Sequence, residues 1–117
     1  MPHDSPPNWR NVAWDHRASD EAIAALRRAA GEIERALDED ARRAQGATAE
    51  WRGQTRADFD QRRGRLRDDM IALAADCRAA AEQVYRAAAD AADEQRRREE
   101  AREAWERDQR RRGSGGD

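Results

Sequence analysis

Apolar positions recur along two stretches of this chain at the three-and-four spacing of an α-helix. In the first, Ile23, Leu26, Ala30, Ile33, Leu37, Ala41, Ala44, Thr48 and Trp51 follow one another at intervals of three or four residues. In the second, the same spacing links Phe59, Arg63, Leu66, Met70, Leu73, Cys77, Ala80, Val84, Ala88 and Ala91. Arg63 is the polar interruption, and an inward-facing Arg63 requires an acidic partner. The pattern predicts helix 1 over about residues 15–50, a turn at 51–54, and helix 2 from 55 to beyond 100. Asp15 or Ser19 would cap the first helix, with Asp20 and Glu21 near its positive N-terminus. Gly53 suits the left-handed conformation that ends a helix, because it has no Cβ to clash. Thr55 would cap the second helix, and Asp58 stands three positions on in a capping-box-like spacing.

A short link between two amphipathic helices makes them antiparallel neighbours. With the reversal centred on Gly53, facing positions sum to about 106. Ile33 then meets Leu73, Leu37 meets Met70, Ala41 meets Leu66, and Thr48 lies near Phe59. The fold class expected is all-α, an antiparallel two-helix hairpin. Its core and dimer stripe comprises Ile23, Leu26, Ile33, Leu37, Leu66, Met70, Leu73, Cys77 and Val84. Two helices share one mutual face, and bundles usually need a second pair to close the core. Ile71, one step off the second stripe beside Ala72, Ala75 and Ala79, widens the apolar surface. A partner hairpin completing a four-helix bundle is therefore expected.

Outside the hairpin, assigned to residues 14–93, the character changes. Residues 1–13 are punctuated by Pro and Asn and read as a disordered arm. Residues 94–112 contain eight Arg against six acidic residues. Glu94/Arg98, Glu103/Arg107, Glu106/Arg110 and Asp108/Arg112 stand four apart with the acid first, the favourable helical order. This predicts a solvated, fraying helical extension, ending in a flexible tail at 113–117.

Composition narrows the function. Charged residues make up 41% of the 117, aromatics 5%, and the mean hydropathy is −1.27. Such polarity usually signals disorder, but 26 residues are Ala and all three Pro lie within the first seven, so the chain favours helix. No apolar run approaches the roughly 20 residues that span a bilayer. The opening residues lack the basic and apolar segments of a cleaved signal peptide. Cys77 is the one cysteine, which excludes an internal disulfide and reads as a small buried hydrophobe. His3 and His16 lack partners at metal spacing, Asp68 and Asp69 point to different sides of a helix, and no phosphate-binding Gly loop is present. No catalytic residue, metal or cofactor is expected. Arg62, Arg63, Arg65 and Arg67, Arg96–Arg98 and Arg110–Arg112 form basic clusters, yet the net charge is −2 and acids interleave. Nucleic-acid binders usually show a net basic stripe, so none is expected to bind here.

The four tryptophans differ in setting. Trp9 and Trp14 flank Val12 in the arm, where they would pack on the far end of the hairpin, and Trp105 stands alone in the charged extension. Trp51-Arg52-Gly53 occupies the joint between the helices, with Phe59 eight residues after Trp51. On the length, the hairpin pattern, this turn and Phe59, residues 12–92 resemble the Trp-x-Gly (WXG) family of type VII secretion substrates, related to the early secreted antigens. The resemblance implies a helical hairpin that dimerises with itself or a related Trp-x-Gly chain. It also implies recognition by the secretion machinery and export without a cleaved signal peptide. In that family the Trp-x-Gly turn of one chain joins a Tyr-x-x-x-(Asp or Glu) element after helix 2. Here Tyr85 is followed by Ala89 four residues on, and the acid is one step late at Asp90. At about 100° per residue, Asp90 stands roughly 140° round a helix from Tyr85. A partner would then supply that half of the signal. The alternatives are a non-exported cytoplasmic coiled-coil adaptor or chaperone, in which Trp51 is hinge packing, and an Arg-rich nucleic-acid-associated helix.

Overall fold

The computed structural model describes residues 5–115. Two helices, α1 (His16–Ala47) and α2 (Gly53–Gly115), make an antiparallel hairpin, and no strand occurs among the described residues. His3, the first four positions of the arm and the last two of the tail lie outside the described residues. The chain forms two compact units. One is Arg17–Tyr85, and the other joins the chain up to His16 with residues from Arg86 onward.

In the Arg17–Tyr85 unit the seam between the helices is built largely of small side chains. Ile23, Ala30 and Ala44 of α1 and Ala74 and Ala81 of α2 are its buried apolar residues. Leu26, Ile33, Leu37, Phe59, Met70, Cys77 and Val84 are half-buried along it. Leu66 and Leu73, expected on the same stripe, remain 58% and 53% exposed, and Ile71 remains 47% exposed. The reason is angular. Ala74 lies about 40° to one side of Met70 round the helix, and Leu73 lies about 60° to the other. Methyl side chains at the closest approach turn α2 toward its alanines and leave the two leucines on the flank.

Two cross-hairpin ion pairs record the register. Arg63 Nη2 lies 2.9 Å from Asp40 Oδ2, and Arg78 Nη2 lies 2.7 Å from Glu34 Oε1. Their residue numbers sum to 103 and 112, on either side of the expected 106. Arg63 therefore has the acidic partner its place on the stripe requires. Such pairs, half open to water, contribute little net stability but penalise a slipped alignment.

The helix ends differ from expectation by a few residues. α1 starts at His16, so Asp15 occupies the position before it, and its first turn holds no acid. Asp20 and Glu21 fall later, where Glu21 pairs instead with Arg17 at 3.3 Å. α1 stops at Ala47 rather than near residue 50, and α2 starts at Gly53 rather than 55, which puts Thr55 inside the helix.

In the second unit α2 runs on to Gly115, through residues read as a flexible tail. Two of the expected pairs form, Glu94 with Arg98 at 3.1 Å and Asp108 with Arg112 at 3.3 Å, while Arg97 at 2.9 Å and Arg96 pair three residues back with Glu94 and Asp93. The arm has no regular structure, yet Gln95, Arg98 and Arg102 hydrogen-bond it between Asn8 and Val12. Among the described residues no helix is long and apolar enough to cross a membrane.

Candidate functional site: the interhelical joint

A helix that stops leaves its last carbonyls without intrahelical donors. At the end of α1 the first is served locally. Thr48 donates to Ala44 O from its backbone N at 3.0 Å and from its Oγ1 at 2.6 Å. The Thr48 side chain is almost wholly enclosed. Trp51 N then donates to Thr48 O at 3.0 Å, which curls the chain away from the helix axis.

Two guanidinium groups hold three carbonyls of the joint. Arg52 Nη1 donates to Ala49 O at 2.9 Å and to Trp51 O at 2.7 Å. Arg56, one turn into α2, donates from Nη1 to Thr48 O at 2.5 Å and from Nε to Asp60 Oδ2 at 2.9 Å. Gln54 Nε2 donates to Asp58 Oδ1 at 2.8 Å, so the first turn of α2 is braced by Gln54 and not by a Thr55 cap. Gly53 carries a φ of 76°, the one positive φ among the described residues. It permits the reversal as expected, but as the residue that opens α2 rather than one that closes α1.

On this frame Trp51 stands edge-on to Phe59, with ring centroids 5.3 Å apart and planes at 70°. The Arg63 guanidinium lies over the Phe59 ring, 5.8 Å from its centroid, and Arg63 in turn binds Asp40. Trp51, Phe59, Arg63 and Asp40 thus form one chain of contacts from the joint into the seam. Trp51 is held by this contact and remains 41% exposed. The arrangement holds no nucleophile beside a base; it presents an anchored indole and an open turn, a surface suited to recognition.

Next to the joint a cleft of about 520 Å³ opens between the helices, lined by Leu37, Leu66 and Met70 with Asp40 and Arg63 across it. Tyr85 is 56% exposed and Asp90 is exposed, and α2 is continuous through both. Cys77 is a free, half-buried thiol, and His16 is exposed at the start of α1. Asp68 and Asp69 face solvent. Among the described residues no cluster of His, Cys, Asp and Glu could hold a metal ion. Of the Arg clusters, Arg96–Arg98 are paired with Asp93 and Glu94. Trp9 and Trp14 are exposed and Trp105 is half-buried.

The sequence pattern singles out Trp51, Gly53 and Phe59, gives Thr48 only a place on the stripe, and passes over the roles of Arg52 and Arg56. Their signal is present in the chain: basic side chains near a helix C-terminus commonly bond its last carbonyls. Compared with known proteins, no family model, no curated protein and no solved structure matches this chain.

Proposed function

We propose that this chain is a Trp-x-Gly helical hairpin of the type VII secretion class, acting by dimerisation and recognition as an exported substrate or co-secretion partner. One observation carries the reading: Trp51-Arg52-Gly53 is the reversal itself, with Gly53 left-handed and Trp51 half-offered to solvent. In this role Trp51 presents the turn to the machinery, Gly53 allows it, and Phe59 fixes the indole's angle. The partner is a homodimeric copy or a related Trp-x-Gly hairpin. Leu66 and Leu73, with Ile71 on the opposite flank of α2, offer it uncovered apolar surface. Each contributes about 1.5–3 kcal/mol when fully buried. Because Tyr85 and Asp90 stand out of register on an unbroken helix, the partner supplies the Tyr-and-acid half of the signal.

The deciding experiment is export in a cell with an active type VII system. The wild-type chain should leave the cell with its partner, and Trp51→Ala should stay inside while its far-UV helicity is retained. Equal export of both would refute the role given to the indole. The misplaced acid at Asp90 favours a second reading, a cytoplasmic coiled-coil adaptor that is never exported. In that case neither chain leaves the cell, and Trp51→Ala changes only stability.

A further inference from the structure

The arm is seated by a row of side chains that reads main chain more than side chain. Gln95, Arg98 and Arg102 are spaced three and four apart and so share one face of α2. Arg102 donates from Nε to Asn8 O at 3.0 Å, from Nη2 to Arg10 O at 2.8 Å and from Nη1 to Asn11 Oδ1 at 3.1 Å. Arg98 Nη1 adds a second bond to Arg10 O at 3.0 Å. Gln95 faces both ways. Its Nε2 donates to Asn11 Oδ1 at 3.0 Å, and its Oε1 accepts from Val12 N at 2.8 Å. Asn11 is the arm residue whose side chain the row reads, receiving both Gln95 and Arg102.

Each side is prepared for the other. Pro6 and Pro7 limit the free chain ahead of the contact. Asn8 Oδ1 then accepts from Arg10 N at 3.0 Å, an Asx turn that aims the carbonyls of Asn8 and Arg10 the same way. On α2, Glu94 accepts from Arg98 Nε and Glu99 accepts from Gln95 Nε2, which hold those two side chains in place. Most of these bonds are open to water, which competes for every donor, so the contact is exchangeable.

We propose that Gln95, Arg98 and Arg102 form a receptor row for an extended polypeptide segment, that the chain's own arm is its resident ligand read through Asn11, and that the row accepts the same segment from a second copy when its own arm is displaced. Its chemistry selects two backbone carbonyls two residues apart, one backbone N–H and one primary amide. A helical segment has most of its carbonyls and N–H groups already paired, and a strongly cationic one is repelled by the guanidinium groups of Arg98 and Arg102.

The test uses the full-length chain and reads tryptic cleavage of the Arg10–Asn11 bond by mass spectrometry. Arg102→Ala leaves that bond's own sequence untouched and should speed its cleavage about tenfold or more, the loss expected for charge-assisted bonds. Equal far-UV helicity in the two proteins shows that α2 is intact. Asn11→Ala releases the arm from the other side. A fluorescein-labelled peptide of residues 5–14 with the wild-type sequence should bind Asn11→Ala about tenfold tighter than wild type. It should bind the double variant Asn11→Ala/Arg102→Ala no better than wild type. Unchanged cleavage in Arg102→Ala, equal peptide binding by wild type and Asn11→Ala, or undiminished binding by the double variant would each overturn the proposal.

Discussion

Gly53 holds a φ of 76° with nothing within 4 Å of where a Cβ would stand, so any other residue there is penalised by torsion and not by collision. A left-handed L-residue costs roughly 1–2 kcal/mol. Gly53→Ala should lower the unfolding free energy by about that amount in urea titration, and Gly53→Asn by less, because asparagine tolerates this conformation. Trp51→Ala should remove the edge-to-face pair with Phe59, worth about 0.5–1.5 kcal/mol beyond buried area. A double-mutant cycle with Phe59→Ala isolates that coupling. Glu94 is the one described group with a clear shift in acidity. Hydrogen bonds first from Arg97 and then from Arg98, with the charges of both, hold its carboxyl below the ordinary glutamate value. A depressed carboxylate stabilises the folded state above its unfolded pKa, and that contribution fades as pH falls through its folded value. Arg98 also binds Arg10 O, so the arm should loosen over the same acidic range. Val12 amide exchange, corrected for intrinsic rate, should rise relative to amides in α1 as Glu94 becomes protonated.

At the scale of elements, periodicity made the hairpin and its joint legible. Intervals of three and four mark both helices, and the glycine beside Trp51 marks the break between them. The place of Arg63 on the second stripe demanded an acid opposite it, and Asp40 is there. The choice of seam was harder to read. Met70 lies on the seam under either rotation of α2, and a rotation of some tens of degrees exchanges Leu66 and Leu73 for Ala74 and Ala81. Hydrophobicity alone favours the leucines; close approach of backbones favours the methyls. The helix ends shifted because Thr48, Arg52 and Arg56 take up carbonyls at and after the end of α1, and Gln54 braces the start of α2 through Asp58. The docking of the arm left almost no trace in the sequence. Gln95, Arg98 and Arg102 sit in a stretch that reads as a solvated charged face, and their targets are carbonyls, which every residue possesses.

For the whole molecule, the exposed flank of α2 sets the test of assembly. Leu66→Ser with Leu73→Ser should leave the circular dichroism of the isolated chain unchanged, since both side chains are more than half exposed. If a second hairpin covers them, the same double variant should weaken association at least tenfold by sedimentation equilibrium, the effect of uncovering even one leucine. Unaltered association would move the interface to another face of the hairpin.

The contact from Arg102 to Asn8 closes across 94 residues, the widest separation of any hydrogen bond described in the chain. A ribosome therefore delivers the strap well before its seat, and the intermediates in between carry a loose ribbon while the joint at Gly53 is already able to turn. Seating the strap orders its backbone and offers mostly water-accessible bonds in return. The strap should be the final piece to fasten in biosynthesis and the first to come undone in any partial opening of the native protein.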